Sequence, residues 1–336
     1  MPSNKVHPRQ ALFDASETTP FLPVCDHYAG VEERMRKSMT LQAEMGPVFD
    51  VTLDCEDGAP IGGEVEHAHL VAELAMSEHN KFGRVGARVH PVDHPAFEQE
   101  LDTLIGRAGS RLAYLMVPKP RHLADVKRAC DEIDHFVRIH PDSRHLPIHF
   151  LIETHGALRD VDVIAAHPRV ESLSFGLMDF VSAHRGAIPS QGMSAKGQFT
   201  HPLVLRAKLE IAAACHGHLK TPSHCVVTEF NDKRAIQEAA TKASRELGYT
   251  RMWSIHPNQI EPIVDAFAPT AAELDLAIEI ITQAQDADWA PIRHRDTLHD
   301  RASYRYFWQV LERAHRTGQS LPSTVRSAYF EDSSSV

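Results

Sequence analysis

The chain has 336 residues, 43% of them hydrophobic. That is enough for one large α/β barrel with an appendage, able to bury its apolar surface without disulfide staples. Its 35 basic and 45 acidic residues give a net charge of −10, which excludes a general binder of phosphate backbones, so no nucleic-acid partner is expected. The five cysteines form no CxxC pair, which argues against a disulfide framework or a zinc ribbon. No run of about 18 apolar residues occurs, so no membrane span is expected. The N-terminal MPSNKVHPRQ lacks the apolar core of a signal peptide, and a cytoplasmic protein handling a small molecule is expected.

Taken in chain order, short apolar runs alternate with amphipathic segments. Strands are predicted at Phe21–Val24, Phe49–Leu53, Val85–Val89, Ala113–Val117, Ile148–Ile152, Val170–Phe175, Cys225–Thr228 and Met252–Ile255. Val31, Met35 and Met39 recur at fourfold spacing until Gly46-Pro47 ends the pattern. Pro202 opens a helix that closes near Gly217, and Asp232 is placed to cap a helix over Lys233–Leu247. Thr270 and Glu273 form a capping box ahead of Leu274, Ile278 and Ile281. Eight strand–helix units predict a (β/α)₈ barrel over residues 1–284, including an N-terminal extension. DADWAPIRHRDTLHD then reads as irregular and charged, Tyr304–Ala314 as a helix, and Ser333–Ser335 as a loose tail. Residues 285–336 are therefore expected to form a small C-terminal helical lid and tail.

Chemistry-bearing residues recur at the C-terminal ends of the predicted strands: Asp54, Glu56 and Asp57, then Arg88, Lys119, Glu153, Asp179 and His256. In a barrel these ends share one face, where active sites of this fold lie. Polar loops alone would give part of the same pattern. Glu153 in FLIETHG and Asp179 in LSFGLMDF would enter the mouth from adjacent strands. Two carboxylates with room for water suit Mg2+. An acid–base carboxylate pair without metal, as in a glycosidase, stays open. Arg88 and Lys119 favour an anionic substrate, and Gly176 and His256 are expected to line its site. The sequence holds no GxGxxG, Walker, GxSxG or HExxH motif. The pairs His67/His69 and His216/His218 read as ordinary surface, Cys55 as a packing residue, and His155 as a structural residue or one that orients a ligand.

The succession LDCEDGAP, ARVHP, LMVPKP, FLIETHGAL, LSFGLMDF and WSIHPNQIEPIVDAFAPT resembles the citrate lyase β-subunit-like, malyl-CoA lyase branch of the HpcH/HpaI aldolase family, over roughly Phe21 to Ala284. The resemblance implies a set of roles. Glu153 and Asp179 would bind magnesium, and Arg88 would contact substrate oxygen and the developing enolate. Glu56 and Asp57 would support the metal's waters and the arginine, with Lys119 on the substrate side. HDRASYRYFWQVLERA is similar to the family's C-terminal lid, whose aspartate reaches a neighbouring subunit, and Asp300 is its match. The implied protein is a homo-oligomer, trimer or hexamer. It would cleave a 3-hydroxyacyl-CoA such as malyl-CoA or citryl-CoA to an acyl-CoA and a 2-oxo acid. Two departures stand out. TPFLPVCDH lacks the arginine that usually opens the first strand, and His90 stands where asparagine is common. They keep other readings in view: a CoA-independent 2-oxo acid aldolase, a malyl-CoA thioesterase, or a non-catalytic module binding an acyl-CoA or dicarboxylate.

Overall fold

The computed structural model describes residues 5–14, 17 and 22–331. The chain divides into two compact units, Pro20–Ala266 and Met1–Thr19 together with Phe267–Val336.

The first unit is a closed barrel of eight parallel strands in sequence order: β1 Cys25–Ala29, β2 Phe49–Asp54, β3 Val85–Arg88, β4 Leu115–Val117, β5 Ile148–Ile152, β6 Val170–Phe175, β7 Thr221–His224 and β8 Arg251–Ser254. The pairing of β1 with β8 closes it. Helices follow the strands, among them Glu32–Met45, Pro202–Gly217 and Lys233–Arg245, the last capped by the Asp232 side chain on Ala235 N. Among the described residues no helix is long and apolar enough to cross a membrane.

Six predicted strands are found, and two are displaced. The first lies at Cys25–Ala29, not Phe21–Val24 (Phe21 is outside the described residues), and the seventh at Thr221–His224, not Cys225–Thr228. Both true strands are polar because the lower barrel interior is polar. Asp26 accepts hydrogen bonds from Thr52 Oγ1 (2.7 Å) and the Tyr114 hydroxyl (3.0 Å). In β7, buried Thr221 and Ser223 occupy strand positions that an apolar run would otherwise mark. A search for apolar runs passes over such strands.

A second buried polar group lies outside the barrel lumen. Lys208, on the helix Pro202–Gly217, is fully buried. Its ammonium donates to Gln198 Oε1 (2.7 Å) and sits 3.9 Å from the Phe199 ring centroid. Burial lowers its pKa from 10.5 to about 8. The folded chain thus sheds this proton above about pH 8, whereas the unfolded chain holds it to 10.5. The penalty is full below pH 8, and stability recovers as pH rises from 8 towards 10.5. Lys208→Met is therefore expected to stabilise the protein by roughly 2–3 kcal/mol at neutral pH. Gln198 Oε1 keeps the Cys225 thiol as a donor (3.0 Å). Urea denaturation at pH 7 and near pH 10 checks this: the gain must shrink at the higher pH.

The second unit has its own core. Leu12, Leu274, Ile281 and Ala284 pack there with Tyr304, Trp308 and Leu311. The boundary between the compact units falls at Ala266 and Phe267, whereas the sequence predicts a division after residue 284. The helix Ala271–Asp286, with its Thr270/Glu273 capping box, packs with the C-terminal helices, and the N-terminal helix Pro8–Leu12 joins the same core. The stretch expected to be irregular carries an antiparallel hairpin, β9 Ile292–His294 and β10 Thr297–His299. Its two-residue turn, Arg295-Asp296, has φ of 45° and 65°, the backbone of a type I′ turn without the usual Asn-Gly signal. The predicted helix is found as Arg301–Arg316, and Ser323–Tyr329 forms one more. The predicted serine tail lies outside the described residues.

Candidate functional site

The C-terminal ends of β2 to β6 bring one charged network together. Strand residues alternate faces, so Asp50, Thr52 and Asp54 share the lumen side of β2, and Asp54 meets Arg88 from β3. Arg88 Nε and Nη2 grip the two Asp54 oxygens at 2.7 and 2.5 Å, the bidentate geometry that fixes a guanidinium plane. Asp54 also accepts Glu56 N (2.9 Å) and Gly58 N (2.8 Å), which ties the LDCEDG turn to the same carboxylate. Glu56 stands 3.1 Å from Arg88 Nη1. Burial works against the Arg88 charge, but Asp54 and Glu56 more than reverse it, and its pKa is raised.

Lys119, between Pro118 and Pro120, has φ of +53°, a backbone state that lysine rarely adopts. Such strain concentrates at functional sites. Here it aims two donors at once: the Lys119 N–H reaches Glu153 Oε1 (2.8 Å), and the ammonium reaches Glu56 and Asp57 Oδ2 (2.8 Å). Burial disfavours this ammonium, yet the hydrogen bonds to Asp57 and Glu56 raise its pKa overall. The same contacts split the acids. Burial keeps Glu56 raised in spite of Arg88 and Lys119, whereas Lys119 outweighs burial at Asp57 and lowers it.

Glu153, at the end of β5, is 3% exposed. Burial, reinforced by the charge of Asp179, pushes its carboxyl up to about 8. Asp179 lies in the first turn of the helix Leu177–Ser182, and its side chain is 44% exposed and 3.8 Å from the Lys119 ammonium. Among the described residues no three or more His, Cys, Asp or Glu side chains are grouped to hold a metal ion by themselves. The two carboxylates nevertheless fit Mg2+, a hard cation that takes one or two carboxylates and fills its remaining positions with waters and substrate oxygens. The raised Glu153 marks a place short of positive charge, and Lys119 N occupies only its Oε1.

Arg88, Glu56, Asp57, Lys119, Glu153 and Asp179 are thus brought together. Gly176 stands against Glu153, where a Cβ would lie 2.1 Å from Oε2. A cleft of about 380 Å³ opens beside Glu56, Asp57 and Lys119, lined also by His90 and His94. His256 engages other partners. It caps the turn Pro257–Gln259 and stacks on Phe230 at 4.8 Å. Asp300, in the other unit, caps the helix Arg301–Arg316 by accepting from Ala302 N and Ser303 N. Asp54 is the residue whose role sequence reasoning missed, and the alternation 50, 52, 54 was the signal that could have found it. Three of the four paired histidines have structural partners: His67 bonds Asp54 O (2.9 Å), His216 bonds Gly248 O (2.7 Å) and His218 pairs with Asp162 (3.0 Å). Cys55 is buried, and His155 bonds Ala183 O (3.3 Å).

Residues 36–257 match the HpcH/HpaI aldolase/citrate lyase family. The crystal structure of a citrate lyase from Burkholderia xenovorans LB400 is 52% identical in sequence, with a TM-score of 0.84 over 96% of this chain and 100% of that one. The L-malyl-CoA/beta-methylmalyl-CoA lyase of Cereibacter sphaeroides is 27% identical over 250 residues, 70% of this chain and 77% of its own length. The fold is also that of the protein CitE from Mycobacterium tuberculosis, solved in complex with magnesium, acetoacetate and coenzyme A. That comparison has a TM-score of 0.66 at 17% identity, over 88% of this chain and 98% of that one.

Proposed function

Because the chain belongs to the HpcH/HpaI aldolase/citrate lyase family, we propose that it is a magnesium-dependent lyase cleaving a 3-hydroxyacyl-CoA, such as malyl-CoA or citryl-CoA, to an acyl-CoA and a 2-oxo acid. The observation that carries this is the fixed Arg88 guanidinium beside the Glu153/Asp179 pair.

Each side chain has a task in that reaction. Glu153 and Asp179 would hold the ion, with Lys119 N orienting Glu153. Bound there, Mg2+ would supply Lewis-acid polarisation and a template for the carboxylate and adjacent oxygen of the 2-oxo acid unit. Arg88 cannot swing away, because Asp54 holds it at two points. A preorganised cation of this kind stabilises an enolate oxygen as the carbon–carbon bond breaks. Glu56 and Asp57 balance the charges of Arg88 and Lys119 and hold both side chains in place. A base must take the hydroxyl proton and the same group return a proton to the carbon of the acyl-CoA enolate, and Asp300 from a neighbouring copy in a trimer or hexamer is assigned both roles. Its capping bonds both use Oδ1, which leaves the other oxygen for the proton.

Turnover with magnesium tests the reading, with malyl-CoA and citryl-CoA set against the free hydroxy acids. The parent is expected to cleave a thioester. Asp179→Ala should lose at least about 10²-fold in turnover, the scale of one preorganised electrostatic contact. Magnesium should raise the melting temperature of the parent and not of the variant. Cleavage of free acids alone would assign a CoA-independent aldolase instead. Absence of any turnover would sink the lyase reading.

A further inference from the structure

Beneath the acids, two donors in the barrel interior have no acceptor. Tyr28 of β1 and Trp253 of β8 stack their rings 4.4 Å apart at 23°. With Met116, Leu151 and Val226 they form one apolar layer. The Tyr28 hydroxyl and Trp253 Nε1 are both buried, and neither has a hydrogen-bond partner among the described residues. Buried donors are almost always paired, and each exception calls for an explanation. Packing does not supply one, since a phenylalanine at position 28 would fill the layer without leaving a hydroxyl unpaired.

The position of the layer supplies the explanation. The Tyr28 ring lies 5.4 Å from the Arg88 guanidinium carbon. Leu151 precedes Glu153 by two residues on the same face of β5. The layer is therefore a floor under Arg88 and Glu153. The two donors are neutral, so they suit a carbonyl or carboxylate oxygen and leave charge balance to Arg88 and the acids.

We propose that the Tyr28 hydroxyl and Trp253 Nε1 donate hydrogen bonds to an oxygen of a 2-oxo acid bound on this floor, and so select substrates that carry an acceptor there over those that place an alkyl group. A site built around such donors discriminates strongly, because the wrong ligand leaves them unpaired. The inference rests on the lyase reading above and adds to it the groups that recognise the 2-oxo acid.

Pyruvate binding in the presence of magnesium tests it, measured by calorimetry and by melting temperature on the full chain. Tyr28→Phe is expected to melt at or above the parent without ligand, since an unpaired buried hydroxyl has been removed. Its Kd for pyruvate should rise about tenfold or more, the loss of one hydrogen bond to a bound acid. Trp253→Phe should weaken pyruvate in the same direction. Parent-like pyruvate affinity in Tyr28→Phe would overturn the floor assignment while leaving the lyase reading intact. A ligand-free Tyr28→Phe that melts well below the parent would also overturn it, because the hydroxyl would then have a partner in the free protein. A parent that binds no pyruvate with magnesium overturns the floor assignment, whereas the lyase reading falls only if the thioesters are not turned over.

Discussion

Replacing Gly176 with alanine is expected to reduce turnover about 10²–10³-fold while leaving the barrel folded. The substitution adds one methyl group and removes no charge. Its Cβ would lie 2.1 Å from Glu153 Oε2, 2.5 Å from Glu153 Cβ and 2.9 Å from Glu153 Cδ, distances that no real side chain accepts. Glu153 must move, and with it the oxygen that the Lys119 N–H leaves free. Overpacking of this kind costs about 1–3 kcal/mol in stability, a small part of what the barrel can lose. The larger effect falls on the Glu153/Asp179 pair proposed to hold magnesium. Magnesium-linked stabilisation should vanish in Gly176→Ala as is expected of Asp179→Ala. A double mutant locates the cause. If the methyl group acts only by displacing Glu153, Gly176→Ala combined with Glu153→Gln is no slower than Glu153→Gln alone. Additive losses in turnover would show that Gly176 matters in some other way.

The same residues show which parts of the protein were legible in its sequence. Strands β2 to β6 announce themselves as apolar runs because their outward faces pack under helices. Strands β1 and β7 do not, because Asp26, His27, Thr221 and Ser223 are buried and polar. The acids at the strand ends were readable because a barrel has one functional rim. Which acid holds the arginine was not readable by proximity to the rim. Three acids in LDCEDG compete for Arg88, and pleating decides between them: position 54 faces the lumen with 50 and 52, and so takes the guanidinium. Lys119 shows another limit. Its side chain points to the site because its backbone is left-handed, a state set by VPKP in its tertiary setting and carried by no propensity of lysine. The extent of the second unit was hidden because the helix Ala271–Asp286 has an apolar face suited equally to the barrel or to another helix. Only the partners Tyr304 and Trp308 settle which.

Arg251→Met is the substitution expected to cost most in stability, about 3–5 kcal/mol. Arg251 is 1% exposed and enters the lumen from the first residue of β8. Its Nη1 donates to Asp50 Oδ2 (2.6 Å) and to Pro23 O (2.9 Å), and its Nη2 lies 3.0 Å from Asp26 Oδ2. Asp26 and Asp50 are both fully buried. Removing their shared cation strands Asp26 with only the Thr52 and Tyr114 hydroxyls, while Asp50 keeps Arg84 (2.7 Å). The stranded charge, not the lost contact, sets the size of the effect, because a buried pair stripped of one member costs far more than a pair replaced whole. Asp26→Asn in the Arg251→Met background should therefore recover part of the loss, with a coupling of about 0.5–3 kcal/mol in a double-mutant cycle. Asp26, Asp50 and Arg251 sit at the N-terminal ends of their strands, whereas the groups proposed for catalysis sit at the opposite ends. Below its melting transition the Arg251→Met protein should keep parent-like turnover, since that end of a barrel carries stability and the other carries chemistry. A variant that stays folded yet loses turnover in proportion to its stability would break that separation. It would mean that the buried charges at the base help to hold Arg88 in place through the intervening layer of Tyr28 and Trp253.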